Sequence, residues 1–334
     1  PLLFSYFTSP ANAEGTLAGA FGNRRVLLIG IDGVRSDAMQ AADTPHMDAL
    51  IAVGAVSYDA FAGGIPGTAT QQITSSGPGW SSILTGTWTN KHGVTSNSFS
   101  GDNYEDYPHF FRRIKEVNST ACTASIVQWS PIDTYIVGAV DAYTDHRATA
   151  GGGQSVANQA SAYLADNNPD VMMLHFDDVD HAGHSSGFRA TSPAYLAAIA
   201  KVDTQIGEVI DAIEARPNFA AEDWLIIITT DHGAVRARQA TLVHGDRQTS
   251  TSLRYKHGRN LRCEEKDALR IDDPEKYGLP PSGLGANYII AREDYFFVYP
   301  TKFNEYSRQY RDSFQHGGIS LEEMILPVAT PIPR

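Results

Sequence analysis

The stretch FDDVDHAGHSSG, residues 176 to 187, sets three aspartates and two histidines behind the apolar run VMMLHF. A solvated acidic loop would account for the aspartates alone. The spacing adds more: Asp180 and His184 stand four apart, so one helical turn or a tight loop brings both to one side, where carboxylate and imidazole can converge on a cation. Two other places have the same form, with Asp32 following VLLIGI and Asp231-His232 following LIIITT. Histidine and carboxylate donors suit zinc, whereas an all-oxygen set would point to magnesium or calcium.

The elements that must position these residues are legible as alternating patterns. Val26 to Ile31 is a continuous apolar run ended by Asp32-Gly33, the mark of a strand buried on both faces, and similar runs recur at 124–127, 171–176 and 225–230. Between them lie helical patterns. The clearest starts at Ser192-Pro193 and carries Tyr195, Ile199, Val202, Ile206, Val209 and Ile213 at three- and four-residue steps until Pro217. Further helices are expected near 45–53, 106–117 and 154–165. The expected fold is α/β, a mostly parallel central sheet with helices on both faces. Ligands of such sheets gather beyond the carboxyl ends of the strands, where Asp32, Asp180 and Asp231-His232 all fall. That coincidence favours a cation site over a solvated loop.

Whole-chain properties narrow the function. A chain of 334 residues can bury a substantial core as one large α/β domain or two smaller ones. Its formal charge of −12 argues against a protein that coats nucleic acid, but not against phosphate chemistry at one site. No run reaches the length of a membrane span. Two cysteines, Cys122 and Cys263, are too few for a disulfide scaffold or a thiolate zinc site and read as unrelated buried thiols, with a long-range disulfide as the lesser alternative. Residues 1–20 read as a signal-peptide remnant or a disordered lead, with the step Ala11-Asn12-Ala13. The remainder, 21–334, reads as a single catalytic domain interrupted at about 245–285 by a charged, Gly- and Pro-containing insertion or lid. Apolar patterns return at 288–291 and 295–299, and a helix-strand unit closes the chain around SLEEMILPVAT.

Four separated segments, IGIDGVR, TSSGPGWSSILTG, VDHAGHSSG and TTDHG, resemble in order the motifs of the nucleotide pyrophosphatase/phosphodiesterase (type I phosphodiesterase) family of the alkaline phosphatase superfamily, over about residues 25–235. The resemblance implies an alkaline-phosphatase-like fold holding two Zn2+ ions. It makes Asp180 and His184 ligands of one zinc, completed by a late histidine for which His316 is the best match and His244 and His257 are rivals. Asp32, Asp231 and His232 would hold the second, together with the nucleophile hydroxyl. That nucleophile maps to Ser76, with Thr74 and Ser75 as neighbours in competition, and Asn97 maps to the family's asparagine that binds a phosphoryl oxygen. A serine hydroxyl is a poor nucleophile at neutral pH, and metal coordination favours its alkoxide. Two metals stabilise both the attacking and leaving oxygens of an in-line displacement. A helix starting at Ser76 would add backbone N–H groups facing an anion. His92 and His181 read as orientation or core residues.

The chain also departs from that pattern. Where the family often has an aromatic residue after its nucleophile for stacking a base or aryl group, this sequence has Gly77, and Trp80 is the candidate to compensate. From TTDHGAV onward, segments such as TSLRYKHGRNL, DPEKYGLP and FQHGGISLEEMILP resemble the PglZ domain, as in a natural mosaic or an artificial join. The first likeness implies a periplasmic or secreted protein, the second a cytoplasmic one. The leading expectation is hydrolysis of phosphodiesters or nucleotide pyrophosphates through a phosphoserine, with a small phosphate ester, a nucleotide or an oligonucleotide as partner; protein partners are not indicated. A phosphomonoesterase is the near alternative, favoured if Arg35, Lys91 or Arg189 lies at the site. Sulfatase chemistry fits less well, because SGPGW lacks the arginine such enzymes require. A metal-binding signalling module without turnover is the alternative of a different class.

Overall fold

The computed structural model describes residues 20–64, 68–236, 239–242, 254–263, 266, 268–272, 286–291, 295–299, 303–310, 314–315 and 325–331. The first part of the chain runs β1 (Arg24–Ile31), α1 (Ser36–Ala41), α2 (Pro45–Val53), β2 (Gly54–Phe61), α3 (Ser76–Thr85), α4 (Thr89–His92), α5 (Phe110–Val117) and β3 (Thr123–Val127). It continues with β4 (His146–Thr149), α6 (Gly153–Asp166), β5 (Val171–Phe176), α7 (Asp178–Ser186), α8 (Pro193–Glu214) and β6 (Asp223–Thr229). Shorter strands follow: β7 (Val235–Arg236), β8 (Gln239–Leu242), β9 (Tyr255–Arg259), β10 (Ala268–Ile271), β11 (Ala286–Ala291) and β12 (Tyr295–Val298). Helix α9 (Phe303–Tyr310) and strands β13 (Phe314–Gln315) and β14 (Ile325–Pro331) complete the order.

Seven strands form the central sheet in the order β2-β14-β6-β1-β5-β3-β4. From β6 to β4 all neighbours are parallel, and β14 runs antiparallel to both β6 and β2. The apolar runs follow from this arrangement. Leu27, Ile29 and Ile31 of β1 pack with Met172, Leu174 and Phe176 against α6 and α8, while Leu28 and Met173 face the opposite side with Trp80, Leu84 and Phe111. A strand covered on both faces must be apolar at successive positions, not alternate ones. Helix α8 turns Tyr195, Ile199, Val202, Ile206, Val209 and Ile213 inward, each essentially inaccessible, as its three- and four-residue spacing requires.

Elements without an apolar run escaped the sequence. Edge strand β4 is HRAT, half-exposed, and needs no run because one side lies open. Within the span read as an irregular insertion, β9 and β10 pair with β11 in a three-stranded antiparallel sheet, which the apolar ANYIIA of β11 anchors. Most of the rest of that span, the lead through residue 19 and the part of the final unit read as a helix lie outside the described residues. Cys122 and Cys263 form no disulfide and are half-buried, not fully buried as expected. Among the described residues no helix is long and apolar enough to cross a membrane.

Candidate metal centre

Parallel register gathers the site. Gly30 of β1 lies level with His175 of β5 and Thr229 of β6, so the three central strands end together. The chain segments leaving them then carry Asp32, Asp177 and Asp231 to one edge. Asp32 still belongs to the ladder, its N–H donating to the Phe176 carbonyl at 2.8 Å. Helix α7 begins directly after β5 and places Asp180 in its first turn, with His184 one turn on. Gly33 makes the junction: its φ of +69° is left-handed, and a β-carbon there would stand 2.6 Å from Asp180 Oδ1. Its N–H reaches Asp231 Oδ1 at 3.3 Å.

Two groups of ligand atoms result, Asp32 with Asp231 and His232, and Asp32 with Asp177 and Asp180, each within 4.8 Å. His232 Nε2 lies 3.3 Å from Asp231 Oδ2 and 3.5 Å from Asp32 Oδ1. Its Nδ1 meets the Gly233 carbonyl at 2.9 Å, which puts the proton on Nδ1 and leaves the Nε2 lone pair for an electrophile. His184 Nε2 lies 3.4 Å from Asp180 Oδ2 on a partly exposed flank. Thus Asp32, Asp180, His184, Asp231 and His232 all gather here. His316 and His244 lie outside the described residues, and His257 is placed by its backbone in β9.

The electrostatics call for a cation. Burial, then the charges of Asp32 and Asp180, push Asp231 well above the usual carboxylate range; burial, then Asp32 and Asp177, do the same to Asp180. Asp177 rises to about 6 through burial and the charge of Asp32. Burial pushes Asp32 upward too, but the His175 hydrogen bond, the electrostatic pull of the His232 and His175 imidazoles, and the Trp80 N–H outweigh it and hold this carboxyl well below its ordinary value. Asp32 Oδ1, Asp180 Oδ1 and Asp231 Oδ2 are buried without a hydrogen-bond partner. Such oxygens are costly unless paired or bound to a metal. A divalent ion among them would supply the missing partner and offset the mutual repulsion, and the imidazole donors make the set suitable for zinc. The residues fit the group.

Ser76 opens α3 and is nearly inaccessible, its Oγ 3.4 Å from His232 Nε2. The neighbouring Ser75 hydroxyl instead donates to Asn97 Oδ1 at 2.9 Å, and the Gly77 N–H donates to the same oxygen at 2.7 Å. Thr74 is buried. Asn97 is therefore tied to the amino end of α3 while remaining exposed.

Sequence reasoning missed three residues of this site. Trp80 is fully buried and cannot stack a substrate ring; its Nε1–H donates to Asp32 Oδ2 at 2.8 Å. His175, the one polar residue of VMMLHF, lies 3.2 Å from the same oxygen, and a histidine inside a doubly buried strand was the signal available. Asp177 was counted with its acidic neighbours but not separated from them. His92 is a core residue, as expected, whereas His181 is exposed beside Asp177. Of the basic candidates, Arg35 engages Asp37 and the Ala234 carbonyl, Lys91 sits over the Tyr107 ring, and Arg189 is half-buried.

A mostly parallel sheet carries a carboxylate and histidine cluster at its carboxyl edge, beside a hydroxyl on a helix amino end, and so forms an α/β protein whose site could hold divalent cations next to a nucleophile. The model of the family "Type I phosphodiesterase / nucleotide pyrophosphatase" matches residues 26–121 and 115–316, and the chain belongs to that family. It is 23% identical over 240 residues to bis(5'-adenosyl)-triphosphatase ENPP4 of Homo sapiens, covering 66% of this chain and 50% of the relative. Ectonucleotide pyrophosphatase/phosphodiesterase family member 5 of Homo sapiens is 23% identical over 260 residues, 73% of this chain and 52% of the relative. The chain thus spans about half the length of these curated relatives. Murine ectonucleotide pyrophosphatase/phosphodiesterase 5 shares the fold with a TM-score of 0.63 at 14% identity, covering 92% of this chain and 88% of that one. So does phosphonoacetate hydrolase from Sinorhizobium meliloti 1021 in complex with phosphonoformate, at 0.62 and 13% identity, covering 92% and 90%. The family match runs through much of the segment that resembles the PglZ domain, and the comparisons lend that second likeness no support.

Proposed function

We propose that the chain hydrolyses phosphodiesters or nucleotide pyrophosphates with two zinc ions and a covalent phosphoserine at Ser76. The observation that carries this reading is the Ser76 hydroxyl at the amino end of α3, 3.4 Å from His232 Nε2 and beside the Asp32, Asp231 and His232 group. Those three would hold one zinc; Asp180 and His184 would hold the other, with His316 as its third ligand. When bound, zinc supplies charge that favours the serine alkoxide and stabilises the developing oxyanions. Ser76 Oγ forms a bond to phosphorus as the ester P–O bond breaks, and water then cleaves the phosphoserine. Asn97 accepts two hydrogen bonds on Oδ1, which leaves its NH2 group to donate to a phosphoryl oxygen.

A nucleotide substrate is supported by the relatives, one named for bis(5'-adenosyl) triphosphate and one solved in an inactive form in complex with AMP. A single catalytic domain over 21–334 and an exported location, in line with the Ala11-Asn12-Ala13 step, belong to the same reading.

The test compares kcat/KM for bis(p-nitrophenyl) phosphate and p-nitrophenyl phosphate on zinc-loaded protein, with Ser76→Ala and a chelated sample as controls. The expected outcome is diester preference, lost in both controls. Monoester preference would move the activity to the phosphatase branch while keeping Ser76. Zinc binding without turnover of either ester would replace the enzyme by a metal-binding module.

A further inference from the structure

Asp32 is the only carboxylate shared by the two ligand groups found among the described residues, and its two oxygens are treated differently. Oδ2 receives the Trp80 indole N–H at 2.8 Å and faces His175 Nε2 at 3.2 Å. Oδ1 has no hydrogen-bond partner and lies 3.5 Å from His232 Nε2. The indole can only donate. His175 is committed as well: its Nδ1 accepts the Trp129 backbone N–H at 3.4 Å, so the proton resides on Nε2 and is aimed at Asp32. Neither nitrogen of His175 is left for a metal.

We infer that His175 and Trp80 are positioning residues that clamp Asp32 so that it offers a metal one oxygen, Oδ1. Two donors on Oδ2 occupy the atom that a bidentate carboxylate would need. Both donors are fully buried and brace each other, with ring centroids 4.7 Å apart and planes at 82°. The seat for the indole is cut from the same strand that carries the ligand: a β-carbon on Gly30 would stand 2.3 Å from the Trp80 ring. Strand β1 therefore supplies both the ligand and the space for its clamp. Partners of this kind around a metal ligand typically carry about 10- to 100-fold in metal affinity.

This inference rests on the reading that Asp32, Asp231 and His232 hold a metal, and the experiment separates the two. Zinc affinity of the full chain is measured by competition with a chromophoric chelator for the wild type, Trp80→Phe, His175→Met and His175→Gln, with visible spectra of the cobalt-substituted proteins alongside. Circular dichroism verifies folding; Trp80→Phe keeps an aromatic ring in the Gly30 seat. Trp80→Phe and His175→Met should each bind zinc about 10- to 100-fold more weakly. Their cobalt bands should weaken as Asp32 swings to bidentate binding and raises the coordination number. His175→Gln restores an N–H donor and should stay close to wild type. Unchanged affinity and cobalt spectra in Trp80→Phe and His175→Met, with the wild type binding zinc normally, would overturn the clamp alone. Equal losses in His175→Gln and His175→Met would overturn it too, because packing would then be the cause. A wild type that binds no zinc would overturn the clamp and the proposed function together.

Discussion

The Gly77 amide donates to Asn97 Oδ1 at 2.7 Å, and the two residues approach so closely that a β-carbon on Gly77 would lie 2.7 Å from the Ser96 carbonyl oxygen and 3.0 Å from Asn97 Cα. A glycine at position 77 is thus dictated by the 96–97 loop folding onto the start of α3. Gly77→Ala should push this loop away and carry Asn97 with it. Misplacement of a reacting group by about 1 Å can cost on the order of 100-fold, so kcat/KM should fall by about that factor. Zinc affinity should hold, because no ligand moves. Gly77→Phe should not create a preference for aryl esters. Steady-state kinetics with two leaving groups, read beside a zinc titration, checks all three.

Zinc and chelator should act in opposite ways on Asp231→Asn. In the wild type, saturating zinc should raise the thermal midpoint, by about 2.7 kcal/mol of stability at a hundredfold excess over Kd. The variant lacks one ligand and should lose most of that gain. In chelator it should be at least as stable as the wild type, since a buried carboxyl pressed by Asp32 and Asp180 has been made permanently neutral. Differential scanning fluorimetry with and without chelator shows whether the two curves cross.

Acid should destabilise the fold through histidines away from the metal centre. His92 accepts the Val94 N–H on Nδ1, and burial lowers its pKa to about 4; burial does the same to His109. Both are lowered in the folded state, so below about pH 6.5 the unfolded chain binds protons that the native chain refuses. Stability should therefore fall as pH drops from 6.5 towards 4 and level off below that. Each group costs about 2 kcal/mol between pH 6.5 and 5. Urea unfolding at pH 7 and pH 5 should show a smaller acid loss for His92→Gln than for the wild type.

Arg216 should matter for stability and not for chemistry. Its guanidinium forms a fork with Glu222 at 2.9 Å, bonds the Leu164 and Asn167 carbonyls, and covers the Trp224 ring, at the end of the sheet opposite the metal centre. Arg216→Ala removes both bonds of the fork and leaves buried Glu222 only the Trp224 indole N–H at 2.8 Å and Arg25 at 4.0 Å, a loss of about 3 kcal/mol. Arg216→Lys cannot restore the planar fork. Chemical denaturation should register both, while kcat/KM and zinc affinity of the folded fraction stay as in the wild type.

The sequence by itself determined that Val26–Ile31 and Val171–Phe176 are strands covered on both faces, because only such strands are apolar at successive positions, and it placed a third strand at 225–230, which the structure covers fully on one face and only partly on the other. It also marked Asp32, Asp180 and Asp231-His232 as polar residues at their carboxyl ends, and the four-residue step from Asp180 to His184 as one helical turn, which α7 provides. Hydrophobic period reports each residue's local surroundings, so the polar edge strand β4 and the strands β9 and β10 left no such trace. Tertiary structure alone decided which residues meet. The level register of Gly30, His175 and Thr229 joins positions far apart in the chain, and the space beside Gly30 turns Trp80 from a candidate stacking surface into a buried donor to Asp32. The side chain of an indole is equally at home in either place. Only the packing of α3 against β1 says which, because that contact is made between segments whose sequences carry no record of each other.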